Sequence, residues 1–106
     1  MQIRDITPQD LKAKLAGGNP PHLLDVREPS EREVCNIGGQ HIPMKQIAAQ
    51  VSEIPKDQDV VVYCKGGGRS AMVVDELQKK GFTNLYNLKG GIFGWIDQID
   101  PSLKKY

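Results

Sequence analysis

The residues best equipped for chemistry lie together in Cys64-Lys65-Gly66-Gly67-Gly68-Arg69-Ser70. A cysteine acts as a nucleophile through its thiolate, a form favoured at a helix N-terminus and beside Lys or Arg. Here the apolar run Val60-Val61-Val62-Tyr63 leads into Cys64, and a helical pattern follows from Ser70. Three consecutive glycines let the backbone bend sharply. The amides of Lys65 to Arg69, together with those of a helix opening at Ser70, can then converge on the sulfur. Such a concavity suits a thiolate, a persulfide or the oxyanion of a bound substrate. Cys64 is therefore the candidate catalytic residue, with Lys65, Gly66, Gly67, Gly68, Arg69 and Ser70 as its cradle. Lys65 also offers charge to an anionic donor or acceptor, and Arg69 is expected to brace the loop through carbonyls or a carboxylate rather than touch substrate.

Other chemistries for the same glycines fit less well. A phosphate-binding loop of the form G-x4-G-K-[ST] needs a lysine before the Ser, where Arg69 stands. A dinucleotide fingerprint forced from Gly66-x-Gly68-x-x-Ala71 lacks an acidic residue at the end of the next strand, Tyr86-Asn87-Leu88. The serious rival is a cysteine-dependent phosphatase, whose loop also runs from Cys through backbone donors to Arg and a helix. The second thiol, Cys35, could resolve a Cys64 persulfide, but its place at a short helix end among apolar residues favours burial. His22 and His41 have no nucleophile near them in sequence, and no cluster of His, Cys or acids has metal-ligand spacing.

The elements that must position this loop alternate between strand and helix. Ile3 to Ile6 is a short extended opening, and Thr7-Pro8-Gln9-Asp10 starts a helix with a capping Thr and a Pro preset for the first turn. Leu11 and Leu15 give that helix its apolar stripe before Gly17-Gly18-Asn19-Pro20-Pro21 ends it. His22 to Val26 reads as a buried strand closed by Arg27-Glu28-Pro29-Ser30. Ser30-x-x-Glu33 predicts a capped short helix to about Cys35. His41-Ile42-Pro43 is extended, and Ile47, Val51 and Ile54 predict a helix ending at Pro55. After the Cys64 loop, an amphipathic helix turns Met72, Val73, Leu77 and Ala71 inward. Asn84 to Leu88 forms a further strand, and a last helix runs from Ile92 to about Ile99. The alternation predicts an α/β fold with a central, mainly parallel sheet flanked by helices. Ligands of such sheets sit beyond the carboxyl ends of the strands, where both Cys64 and the Asp25 to Arg27 turn fall.

At 106 residues the chain has length for one core, and residues 1–106 are expected to form a single domain. A formal net charge of +1 with interspersed signs gives no footprint for nucleic acid. No apolar run approaches a membrane span. Met1-Gln2-Ile3-Arg4-Asp5 lacks a signal-peptide plan, and two cysteines read as separate thiols in a reducing compartment, so a cytoplasmic location is expected.

Over essentially its whole length the chain resembles rhodanese-like sulfurtransferase domains. Leu24-Asp25-Val26-Arg27-Glu28-Pro29, the Cys64 loop and Asn87-Leu88-Lys89-Gly90-Gly91-Ile92-x-x-Trp95 carry the likeness. In that family sulfurtransferases place four residues between Cys and Arg, whereas related phosphatases and arsenate reductases have a longer, wider loop. This chain has four, Lys65 to Gly68. The resemblance thus implies sulfane-sulfur transfer through a Cys64 persulfide, with thiosulfate-cyanide activity and no cofactor. It also implies a small donor such as thiosulfate or a cysteine-desulfurase persulfide. Asp25 and Arg27 match family positions near the site, where bracing is their favoured role.

Glu31-x-Glu33-x-Cys35-Asn36-Ile37-Gly38-Gly39 and Asp97-x-x-Asp100-Pro101-Ser102-Leu103-x-x-Tyr106 are similar to the C-terminal rhodanese-like domain of adenylyltransferase-sulfurtransferases of molybdopterin and thiamine pathways. That narrower likeness implies a sulfur-carrier protein or an adenylating domain as partner. It leaves open a docking module of such a sulfur relay. The family's His-Ile-Pro-Gly element stands here as Asn36-Ile37-Gly38-Gly39, and neither Asn36 nor His41 is given a catalytic role.

Overall fold

The computed structural model describes residues 3–106; Met1 and Gln2, which open the N-terminal stretch read above, lie outside the described residues. The elements follow as β1 (Asp5–Ile6), α1 (Pro8–Leu15), β2 (His22–Asp25), α2 (Pro29–Val34), β3 (Gln40–His41), β4 (Val60–Tyr63), α3 (Gly68–Lys79), β5 (Leu85–Leu88) and α4 (Gly91–Gln98). The sheet order is β1-β5-β4-β2-β3, and each neighbouring pair is parallel. This is the expected α/β architecture. From β2 the chain moves outward to β3, and from β4 it moves the other way to β5. The carboxyl ends of β2 and β4 therefore flank the crevice at which the winding reverses, the place where such sheets bind ligands.

The central strand β4 is buried throughout, with Val60, Val61, Val62 and Tyr63 each 0% exposed. Its side chains alternate between two core layers, as strand geometry requires. Val60, Val62 and Cys64 join Leu24, Val73, Val74 and Leu77 in the layer under α3. Val61 and Tyr63 join Leu11, Leu88, Ile92 and Trp95 in the layer under α1 and α4. Each buried branched aliphatic contributes about 1.5–3 kcal/mol relative to exposure, so the strand that leads into Cys64 is firmly anchored in the sheet. Among the described residues no helix is long and apolar enough to cross a membrane.

Four local expectations need correction. Helix α2 begins at Pro29, with Glu28 as its cap and Glu31, not Glu33, returning a side-chain bond to the cap amide (3.0 Å); a Pro at the first helical position outweighs Ser30. The segment after Pro43 forms 3-10 turns at Met44–Gln46 and Ala48–Glu53, kinked at Gln50, instead of one α-helix. The tighter helix advances farther per residue, which suits a short connection bounded by Pro43 and Pro55. Ile47 and Ile54 are nonetheless buried, so the apolar pattern reported the inward face correctly. Helix α3 starts at Gly68 instead of Ser70. Its buried stripe is Ser70, Val73, Val74 and Leu77, which leaves Met72 on the outer face at 64% exposure.

Candidate active site

Cys64 follows the last residue of β4, and its sulfur lies on the floor of the loop, with the residue only 1% exposed. The Gly67 amide donates to Sγ at 3.1 Å and the Ser70 amide at 3.4 Å. The Ser70 hydroxyl lies 3.3 Å from Sγ. Gly67 caps α3 with φ +108°, a left-handed conformation that non-glycine residues adopt only at a cost. This single inversion turns its amide toward the sulfur. Lys65, Gly66 and Gly68 are exposed at the rim, while Arg69 is partly buried.

The loop's carbonyls are held from behind. The amides of Ile92 and Phe93, in the first turn of α4, donate to the carbonyls of Cys64 (2.8 Å) and Lys65 (3.1 Å). Those amides have no partner within their own helix, so one helix start satisfies acceptors that would otherwise oppose negative charge near the sulfur. The approach is close at Gly91: a Cβ there would lie 2.6 Å from the Cys64 carbonyl oxygen. Asn87, on β5, supports the loop from the side. Its Nδ2 donates to the Gly67 carbonyl at 3.3 Å, which directs its Oδ1 to the Ser70 hydroxyl (2.5 Å). The one Ser70 hydroxyl proton thus has Asn87, Gly67 and Cys64 acceptors within reach.

Asp25 and Arg27 form a fully buried ion pair at the end of β2, both 0% exposed. Arg27 Nε and Nη2 each donate to the carboxylate at 2.9 Å, and the Arg27 amide adds a third bond at 3.0 Å. Arg27 also donates to the carbonyl of Cys35 (2.8 Å) and to the Tyr106 hydroxyl (3.1 Å). Burial opposes its charge, but the hydrogen bonds to Asp25 and Tyr106 prevail and hold its pKa above the ordinary arginine value. Removing one partner of such a pair costs about 3–5 kcal/mol. The geometry is that of a brace: these groups satisfy one another and tie α2 to the sheet.

Arg69 is bound to a carboxylate. Its Nη1 and Nη2 donate to Glu31 Oε1 and Oε2 at 2.6 and 2.9 Å. Tyr106 donates to the same Oε2 at 2.7 Å. The Arg69 bonds outweigh burial and hold Glu31 at about 2, well under the ordinary 4.5. Burial pushes the Tyr106 phenol up to about 12. Glu31, Asn87 and Tyr106 were not among the expected site residues. The Pro29 helix start could have placed Glu31 in the first turn of α2, though not what that turn faces; contacts of Tyr106 across more than seventy residues leave no local signal.

The remaining candidates lie elsewhere. Cys35 is a free, buried thiol (6% exposed) in the layer with Leu23 and Tyr63, whereas Cys64 belongs to the opposite layer. His22 Nε2 pairs with Gln40 Oε1 at 2.8 Å and His41 Nε2 with the Arg27 carbonyl at 2.7 Å. A surface pocket of about 270 Å³ is lined by Met44, Lys45, Ala48, Met72, Val73 and Glu76, none of them a loop residue.

Known proteins resemble the chain in sequence and fold. The chain is 38% identical over 104 residues to a probable adenylyltransferase/sulfurtransferase, MoeZ, of Mycobacterium tuberculosis, covering 95% of this chain but only 26% of that protein. It is 37% identical over 94 residues to a sulfurtransferase of Allochromatium vinosum, covering 88% of each. Among solved structures, SSP1007 of Staphylococcus saprophyticus superposes with a TM-score of 0.83 at 33% identity, over 92% of this chain and 97% of that one. A rhodanese-like domain protein of Staphylococcus aureus gives 0.82 at 32% identity, over 88% and 91%. Residues 7–98, which include β2, the Cys64 loop and the α4 start that holds it, match the rhodanese-like domain, and the chain belongs to that family.

Proposed function

We propose that the chain is a sulfurtransferase that carries sulfane sulfur as a persulfide on Cys64. One observation carries this: a loop with four residues between Cys64 and Arg69 directs two amides at the sulfur, with the Ser70 hydroxyl beside it, while Arg69 is occupied by Glu31. A cysteine phosphatase needs donors for a tetrahedral oxyanion around the sulfur, and here the arginine is turned to a carboxylate. Similarity to the Allochromatium vinosum sulfurtransferase supports the same chemistry.

In the first step the Cys64 thiolate attacks the outer sulfur of thiosulfate. A new S–S bond forms, the thiosulfate S–S bond breaks, and sulfite leaves with the bonding pair, which produces the Cys64 persulfide anion. The cradle donors then face the anionic chain, whose outer sulfur lies about 2 Å from Sγ. In the second step an acceptor nucleophile takes that outer sulfur. Cyanide, for example, leaves as thiocyanate and the Cys64 thiolate is regenerated. Two easier displacements replace one difficult transfer.

The adenylyltransferase/sulfurtransferase likeness supports a sulfur-carrier protein or adenylating domain as physiological partner, with a cysteine-desulfurase persulfide as the alternative to thiosulfate. The separate thiols fit a cytoplasmic setting. The function is tested by comparing thiosulfate-cyanide turnover with aryl-phosphate hydrolysis. Thiocyanate formation that is lost in Cys64→Ser supports sulfur transfer, and Cys64-dependent phosphate release without thiocyanate overturns it.

A further inference from the structure

We propose that Tyr106 is a positioning residue for anion recruitment at Cys64, acting through Lys65. The Lys65 ammonium lies 5.2 Å from the centre of the Tyr106 ring and 5.1 Å from that of Phe93, and the two rings meet edge to face at 5.2 Å. Lys65 is the residue next to the nucleophile and is exposed. An exposed lysine otherwise samples many rotamers, and aromatic faces restrict it at modest cost. Phe93 is fixed by α4, whose first turn also binds the loop carbonyls. Tyr106 supplies the second face from a distant part of the chain.

The orientation of Tyr106 is itself determined. Arg27 can only donate and a phenol has one proton, so the Tyr106 oxygen accepts from Arg27 Nη1 at 3.1 Å and its proton goes to Glu31 Oε2 at 2.7 Å. Glu31 is the carboxylate that occupies Arg69. The hydroxyl therefore aims the ring and helps keep Arg69 engaged, while the ring holds Lys65. The two cations that follow Cys64 in the loop are thereby given different duties: Arg69 is neutralised as a brace, and Lys65 remains the charge presented to an incoming anion. The sulfur-transfer function is assumed only in that the anion would be a donor or acceptor.

The test uses two alkylating probes and requires no sulfur-transfer activity. Iodoacetate and iodoacetamide attack a thiolate by the same displacement of iodide, but the first is an anion and the second is neutral. The ratio of their rates at Cys64, resolved from Cys35 by peptide mass spectrometry, reads local positive charge. Lys65→Gln is expected to lower the ratio about threefold at low salt, the order of one partly screened unit charge. Tyr106→Leu, which keeps bulk without a π face, should lower it comparably. Tyr106→Phe, which keeps the ring face but loses the bonds that aim it, should lower it less than Tyr106→Leu does, and the Lys65→Gln/Tyr106→Leu pair should fall no further than Lys65→Gln alone. Tyr106→Leu must retain a cooperative melt, with Tyr106→Met as its replacement should it unfold. A ratio unmoved by Tyr106→Leu or by Lys65→Gln, additive losses in the double variant, or equal loss in Tyr106→Phe overturns the assignment. Sulfur loading of the wild-type protein is measured in parallel, so a failed sulfurtransferase with an intact ratio pattern is distinguishable from the reverse.

Discussion

Glu31→Gln should destabilise the fold by about 2 kcal/mol at neutral pH, and the difference should fade in acid. The carboxylate takes two bonds from Arg69, one from Tyr106 and one from the Glu28 amide. A glutamine keeps one acceptor oxygen and turns an NH2 toward donors. Lowering the carboxyl from 4.5 to about 2 sets a ceiling of about 3 kcal/mol at about 1.36 kcal/mol per pH unit. The side chains of Arg69 and Glu31 are 33% and 15% exposed, so solvent screening reduces this to about 2 kcal/mol. The raised Arg69 pKa reflects the same pair and adds nothing further. Because the folded-state value is depressed, the stabilisation is complete above about 4.5 and is lost as pH falls through about 2. Urea titrations of both proteins at pH 7 and pH 3 measure it. A gap of about 2 kcal/mol that shrinks by more than half at pH 3 is expected. A gap below about 0.5 kcal/mol at pH 7, or one equally large at pH 3, would refute the bridge's assigned weight.

Gly91→Ala must push a Cβ against the Cys64 and Lys65 carbonyls; a loss of more than about 2 kcal/mol is expected by thermal melt, together with loss of sulfur loading. Gly66→Ala, whose Cβ would meet nothing within 4 Å, should change stability by less than about 0.5 kcal/mol. Ser70→Ala removes the hydroxyl shared by Cys64 and Asn87. It should cost about 1 kcal/mol in stability and slow persulfide formation about tenfold in single-turnover thiosulfate assays, and an unchanged rate would show that the amides alone suffice.

The fold was legible where period and punctuation agreed. Val60 to Tyr63 announced a buried strand and Thr7-Pro8 a capped helix, and Thr7 indeed accepts from the Asp10 amide. The segment from Ile47 to Ile54 misled because apolar spacing reports which residues face inward, not whether the backbone turns as an α-helix or a 3-10 helix. Met72 misled because the buried stripe of α3 runs through Ser70, Val73, Val74 and Leu77, and Met72 lies off it on the face it shares with exposed Glu76. At the site, Cys64 and its glycines form a contiguous motif, which sequence displays directly. The supports are not contiguous: Asn87 reaches the loop from β5, Glu31 from α2 and Tyr106 from beyond α4. Such contacts depend on how the elements pack, which neither residue spacing nor capping signals encode.

The most direct measurement is the intact mass of the protein after incubation with thiosulfate, with the modified peptide located and cyanide then added. Addition of one sulfur atom at Cys64, removed by cyanide with release of thiocyanate and absent in Cys64→Ser, is the predicted result. A folded wild-type protein that gains no sulfur from thiosulfate or from a cysteine-desulfurase persulfide, or gains it only at Cys35, contradicts the assignment of Cys64 as the sulfur carrier.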